Sequence, residues 1–302
     1  MQVLAHQLRY ADGQFRGTSG VIATAVLEGP SGIALIDPGP TSDLAALEGD
    51  LASGGLSLDD VEALLLTHIH LDHAGAAGTI VRRRPECRVY VHERGARHMA
   101  SPDKLIASAT KIYGDKMDAL WGEFAAVPRA NLQVLNGGEQ IRVAGHDLDV
   151  AYTPGHAQHH VSYFHRASRI AFVGDTGGCR TAVMRTVMPP TPPPDIDVAA
   201  WNGSVARILG WQPAALFLTH FGPVTTVAAH LGELLDRLEV MQQLARRLLA
   251  DEQLSEDDRE NRFVEELRRV FRQELSEVEL RRLELGVPFS MCWGGLARAL
   301  RK

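Results

Sequence analysis

Residues 64–75 read LLLTHIHLDHAG. Three leucines run directly into three histidines and an aspartate within six positions, His68, His70, Asp72 and His73. Burying such ionisable groups without partners costs on the order of several kcal/mol. A chain carrying this segment must therefore fold so that other groups meet it at the strand's end. Residues 216–220, LFLTH, repeat almost the same words.

The first half alternates short apolar runs with turn residues. Segments 21–29, 32–40, 61–68 and 87–93 read as strands, and 41–55 and 73–85 as helices. Thr41 or Ser42 is the candidate cap of the first helix. This β-α-β-α-β order implies a sheet with helices on its faces. Residues 101–125 interrupt it with Tyr113, Met117, Trp121 and Phe124 at helical spacing. They read either as an apolar face on the core or as a lid or pocket wall.

The second half is richer in strands: 132–145, 147–155, 160–165, 169–175 and 215–220. NGG at 136–138 carries a hairpin-type turn signal. The prolines of MPPTPPPDID (188–197) impose an extended connection, and Asp195 or Asp197 can cap the helix that follows. Beyond about residue 226 the pattern is helical, with a Ser276–Glu279 capping box and a last helix ending at Gly286. That tail reads as a packing appendage, a substrate wall or a dimer surface.

Composition narrows the class. The 302 residues are 45% hydrophobic and 23% charged, as in an ordinary globular chain. A net charge of -6 and no basic stripe disfavour nucleic acid as a partner. No membrane span or secretory leader is visible. Cys87, Cys179 and Cys292 are too few and too scattered for a disulfide framework, which suits a reduced, cytoplasmic setting.

In the extended part of LLLTHIHLDHAG, His68 and His70 share a face. Asp72 and His73 start the next helix and can face a neighbouring point. That makes two metal half-sites, because imidazole nitrogen and carboxylate oxygen bind zinc at about 2.0–2.2 Å. Further ligands should come from other strand ends: His156 in TPGHAQHH, Asp175 in AFVGDTGG and His220 in LFLTHFGP.

THIHLDH, then GH, GD and TH, in this order, resemble the signature of the metallo-β-lactamase superfamily over about residues 20–225. The resemblance implies an α/β fold, a four-layer αβ/βα sandwich with metals at one edge between two sheets. The catalytic domain would span 1–225 and a helical C-terminal appendage, 226–302, would pack on it. His68, His70 and His156 match the family's first metal site. Asp72, His73 and His220 match the second, and Asp175 matches the bridging carboxylate. Two divalent ions are implied, zinc foremost, with iron or manganese as alternatives. The echo of ALIDPGP (34–40) in AFVGDTGG suggests two similar halves. It sets Asp37 in the place of Asp175, where it would orient a ligand or the local backbone. Thr67 and Thr219 either support in the same way or simply suit a strand.

The implied activity is hydrolysis of a thioester, lactone or other ester, with Asp72 orienting the nucleophile and taking its proton. A mononuclear-iron enzyme like persulfide dioxygenase and a phosphodiesterase are alternatives, and a non-catalytic metal-binding scaffold ranks last. Asp175 departs from the true β-lactamases of the family and His70 from its flavodiiron proteins. The basic C-terminal signature of hydroxyacylglutathione hydrolases is not recognisable. Arg180 is either a surface residue or reaches a substrate carboxylate. His159 and His160 are satisfied strand-end residues, ligand supports or substrate contacts. Tyr113 and Trp121 are candidate pocket residues, and Cys179 a bystander. His6, His92, His98, His146, His165 and His230 read as surface or packing residues. The expected partner is a small molecule, with no nucleic acid or membrane and a homodimer possible.

Overall fold

A computed structural model describes residues 1–184 and 186–301. Seven strands, β1 (Gln2–Ala5), β2 (Leu8–Asp12), β3 (Ala23–Glu28), β4 (Ile33–Ile36), β5 (Val61–Leu65), β6 (Arg88–His92) and β7 (Leu132–Leu135), lie side by side in chain order. A second sheet holds six, β8 (Gln140–Val143), β9 (His146–Tyr152), β10 (Val161–His165), β11 (Ile170–Phe172), β12 (Ala215–Leu218) and β13 (Gly222–Val224). Strands β4 to β7 are mutually parallel. Their crossovers carry α1 (Leu44–Ser53), α2 (Leu71–Ala74), α3 (Ala77–Arg83), α4 (Glu93–Ala100), α5 (Asp103–Tyr113) and α6 (Met117–Trp121). The second sheet is covered by α7 (Val198–Gly210), α8 (Val227–Ala250), α9 (Glu256–Phe271), α10 (Glu277–Gly286) and α11 (Phe289–Leu300).

The strands show why the layers stack in this order. Along β5, Leu64 packs with the helices while Ala63 and Leu65 face the other sheet. Along β12, Phe217 faces the first sheet while Leu216 and Leu218 face the C-terminal helices. Both strands are apolar on two faces and need cover on both. The result is the four-layer αβ/βα sandwich, with one core between the sheets and one under each helical layer. The C-terminal helices share their core with the second sheet through Leu234, Phe263 and Trp293.

Several local expectations are corrected. NGG does not turn a hairpin: β7 and β8 belong to different sheets, and the turn carries the chain from one to the other. The Glu139 carboxylate accepts the amides of Asn136 and Gly137 there, satisfying backbone that has no ladder partner. Neither Thr41 nor Ser42 caps α1; their hydroxyls donate to the carbonyls of Gly75 and Leu120. Asp197, not Asp195, caps α7, accepting the Ala200 amide. Ser276 caps α10, but Glu279 pairs with Arg282, so only one arm of the capping box forms. The chain also does not end its helices at Gly286: α11 follows, buried through Phe289, Trp293 and Leu296.

Candidate metal centre and cavity

The second sheet runs β9 up, β10 down and β11 up, and β12 parallels β11, so β9, β11 and β12 end on one edge. Strands β4 and β5 end on the same edge of the first sheet. The two edges are stitched there: the Val161 amide donates to Thr67 O at 2.8 Å, the Ala23 amide to Thr219 O at 2.8 Å, and the Tyr163 hydroxyl to Leu66 O at 2.8 Å. Asp37, His68, His70, His156, Asp175 and His220 all follow those strand ends, and Asp72 and His73 lie on the single turn of α2.

The histidines converge as two groups. His68 Nε2 and His156 Nε2 each lie 3.0 Å from His70 Nδ1. Ligands of a tetrahedral ion sit about 3.3 Å apart, so these three nitrogens match one face of such a site. Beside them, His220 Nε2 lies 3.2 Å and His73 Nε2 3.6 Å from Asp72 Oδ2. Asp175 stands between the groups. Its Oδ2 is 3.4 Å from His156 Nε2, and its Oδ1 is 3.2 Å from His73 Nε2 and 3.7 Å from His220 Nε2. His68, His70 and His156 form one set able to hold an ion, and Asp72, His73 and His220 another.

The residues fit metal on independent grounds. His73 Nε2 and Asp175 Oδ1 are buried and make no hydrogen bond. Such orphaned atoms are costly unless an unseen partner satisfies them. The opposite ring nitrogens of His68, His73, His156 and His220 are engaged. His73 Nδ1 is 2.8 Å from Asp37 Oδ2, His156 Nδ1 is 2.9 Å from Pro190 O, His220 Nδ1 is 2.7 Å from Val21 O, and His68 Nδ1 is 3.1 Å from Thr67 Oγ1. These outer acceptors take an N–H and turn each free nitrogen inward.

The electrostatics divide in the same way. Burial, reinforced by neighbouring imidazoles, pushes His68 well below its usual pKa and His70 down to about 3. Burial also lowers His156. A neutral imidazole is the ligating form. Burial would also lower His73, but Asp72, Asp175 and Asp37 overrule it and hold it well above. Asp175 is held well below the usual carboxylate range by His73, His156 and His220, against burial. Against burial, Asp72 is likewise drawn down to about 2 by His73 and His220, so Asp72 and Asp175 are both ionised, with spare electron pairs for cations.

Asp37 is the hub of the support. Its carboxylate accepts from the Thr67 amide at 2.8 Å, the Thr67 hydroxyl at 2.7 Å and the Thr219 hydroxyl at 2.8 Å, besides His73. The Thr24 hydroxyl donates to its carbonyl. Both echoed Thr-His pairs thus meet at one aspartate.

A cavity of about 300 Å³ opens onto His70, Asp72 and Asp175. Its walls come from Tyr113 and Trp121 of the inserted helices, from the proline run 190–194, and from Val287 and Met291 of the C-terminal tail. The two readings of 101–125 hold together: Trp121 packs on the core, stacking 5.5 Å from Phe15, and also lines the cavity. His160 is fully buried beside Thr153 and Thr176 and is not among the residues that line the cavity. Arg180 is half-buried and is not among the lining residues. Cys179 lies near Asp175 and His220, with its thiol pushed well above its usual pKa by burial and by Asp175.

Sequence reading missed His98, which reads there as a surface or packing residue; it keeps a substrate contact among the alternatives for His159 and a substrate wall among those for the tail, and both line the cavity. His98 carried no signal, because folding alone brings it there.

Residues 17–220 match the family model described as the metallo-beta-lactamase superfamily. A metallo-beta-lactamase fold-containing protein of Sulfurisphaera tokodaii is 29% identical over 188 residues, 61% of this chain and 70% of that one. A hydroxyacylglutathione hydrolase of Aeromonas salmonicida is 32% identical over 148 residues, 48% of this chain and 43% of that one. The match thus spans less than half of that relative. Among solved structures, an archaeal metallo-beta-lactamase superfamily protein from Sulfolobus tokodaii superposes with a TM-score of 0.66 at 22% identity, covering 96% of this chain and 97% of that one. A metallo-beta-lactamase family protein from Thermus thermophilus gives 0.64 at 24% identity, covering 82% and 84%.

Proposed function

The chain belongs to the metallo-beta-lactamase superfamily, and from that premise we propose that it is a dinuclear metal-dependent hydrolase of a thioester, lactone or other ester. One observation carries the reading: the two oxygens of Asp175 face different half-sites, Oδ2 toward His156 and Oδ1 toward His73 and His220. A mononuclear site would leave Asp72, His73 and His220 clustered and buried with no ion among them.

His68, His70 and His156 would hold one ion, Asp72, His73 and His220 the other, with Asp175 between them. Divalent cations supply Lewis acidity when bound and bring water's acidity close to neutral pH; zinc suits this N/O donor set best. The protein does the rest. Asp72 lies on the cavity floor, where it orients the attacking water and accepts its proton. Asp37, Thr67 and Thr219 hold the imidazole array still. Tyr113, Trp121 and the tail exclude bulk water from the cavity, which strengthens every charge interaction inside.

Metal analysis joined to a hydrolysis screen tests this. The expected result is two ions per chain and turnover of at least one thioester, lactone or simple ester, abolished in His70→Ala and Asp175→Ala. Two ions without cleavage of any of these would overturn the substrate class. One iron with oxygen uptake would favour the dioxygenase reading.

A further inference from the structure

The cavity at the metal centre does not stand alone. A polar groove of about 430 Å³ adjoins it and shares His98, His159 and Asp195 with it. The two spaces differ in chemistry. The cavity is walled by Leu71, Leu105, Ile112, Trp121 and Met291, and the groove by Arg94, Arg97, Glu93 and Gln158.

Three cations border this junction. Arg94 and Arg97 lie on α4, and Lys104 lies on α5 at the cavity. All three are exposed. Arg94 Nη1 donates to Gln158 Oε1 at 3.1 Å, and its guanidinium sits 5.8 Å over the Tyr152 ring. Arg97 Nε donates to His98 Nε2 at 3.1 Å. Every one of these partners is neutral. Other surface arginines differ among themselves: Arg82, Arg142 and Arg166 are clamped to Glu123, Asp147 and Asp149, whereas Arg169 and Arg207 donate to the carbonyls of Gln212 and Tyr152, away from the cavity. Cations left with neutral partners beside a reaction centre retain their capacity for an anion.

We propose that the substrate is an amphipathic anion: an ester or thioester with an apolar arm in the cavity and a carboxylate- or phosphate-bearing arm in the groove. Arg94 and Arg97 hold the anionic arm, and Lys104 guards the entrance. This rests on the hydrolase reading. In the reaction, water's oxygen bonds to the carbonyl carbon and the bond to the leaving oxygen or sulfur breaks. One water proton goes to the leaving atom, the second to solvent, and the acid is released as carboxylate. No oxidant or other co-reactant is needed. The groove selects by charge and the cavity by apolar length, so Arg94 and Arg97 are specificity residues rather than catalytic ones.

The test uses the zinc-loaded full chain and two hexanoyl thioesters, one of 3-mercaptopropionate and one of neutral 2-mercaptoethanol. The expected result is a kcat/KM at least tenfold higher for the anionic substrate, carried by KM and falling with added salt. In the Arg94→Ala/Arg97→Ala variant that preference should vanish, the ratio of the two kcat/KM values falling to about one. Circular dichroism checks that the variant is folded, and exposed Arg82→Ala serves as a charge control. Equal rates for the two substrates, or a preference that survives the double variant, overturn the proposal. If neither thioester is cleaved, the thioester arm of the hydrolase reading fails, and the groove is still decided by binding. Hexyl phosphate should then shift Trp fluorescence more strongly than hexanol does, and the double variant should weaken it at least fivefold. Unchanged binding in the variant would overturn the groove assignment.

Discussion

Asp37 Oδ2 accepts a hydrogen bond from His73 Nδ1 at 2.8 Å, and both side chains are completely buried. The same oxygen also accepts from Thr67 and Thr219, and the second oxygen accepts the Thr67 amide. One carboxylate thereby ties the ends of β4, β5 and β12 to a candidate ligand. An amide cannot replace it. In Asp37→Asn, whichever way the side chain turns, an NH₂ group faces a donor. The expected outcome is a 10–100-fold loss of metal affinity at the second half-site, read by chelator competition. A stability loss of about 2–4 kcal/mol in urea should accompany it. Unchanged affinity would show that His73 needs no partner.

Removing metal should destabilise the fold as well as silence it. The clustered imidazoles and carboxylates include buried polar atoms, His73 Nε2 and Asp175 Oδ1, that lack a hydrogen-bond partner and that a cation would satisfy. A ligand present at about 1,000 times its dissociation constant stabilises a protein by about 4 kcal/mol. Dialysis against a chelator should therefore lower Tm by several degrees, and zinc should restore it. Calorimetry with and without chelator decides; identical transitions would mean that these residues hold no ion.

Gly174 positions Asp175 and has φ +43°. A Cβ there would lie 2.5 Å from Thr67 Oγ1 and 2.8 Å from His160 Nε2. Both neighbours are buried and already hydrogen-bonded, so neither can move cheaply. Gly174→Ala is expected to cost about 2–4 kcal/mol from strain and overpacking. Metal stoichiometry should fall with it, because Thr67 is displaced. A variant of wild-type stability with two ions bound would contradict this.

Asp43, which is not among the candidate ligands, sets a pH dependence of its own. Burial raises its pKa from 3.8 to about 6, and its Oδ2 has no hydrogen-bond partner. A carboxyl whose folded pKa is raised contributes stability below pH 4 that is lost as pH climbs through 6. Asp43→Asn cannot ionise. Relative to the parent, the variant should therefore gain about 1 kcal/mol between pH 4 and pH 7, a figure already reduced for solvent screening of a half-buried group. Urea unfolding at both pH values measures it, and parallel curves would refute the assignment.

The candidate ligands were legible because strand-end chemistry is local. His68, His70, His156, Asp175 and His220 each follow an apolar run, and a buried strand must stop where polar residues start. The layer order was legible for a related reason, since strands apolar on both faces demand two covers. What failed was pairing. NGG looks like a hairpin turn, yet the chain changes sheets there, because a turn's conformation does not say which strand its arms will meet. Helix α11 was hidden because its aromatic and glycine residues, Phe289, Trp293, Gly294 and Gly295, carry little helix propensity of their own and are held by packing.

The sequence by itself determined which atoms can meet a metal and that they must gather at strand ends, since ionisable groups cannot be buried without partners. Only the tertiary structure decided what lies above them. The cavity joins α5, α6, the proline run and the tail, and the groove beside it is built on α4 and the turn after β9. Those segments are far apart in the chain. Their meeting is set by how long-range packing closes three cores around two sheets, which no local pattern encodes.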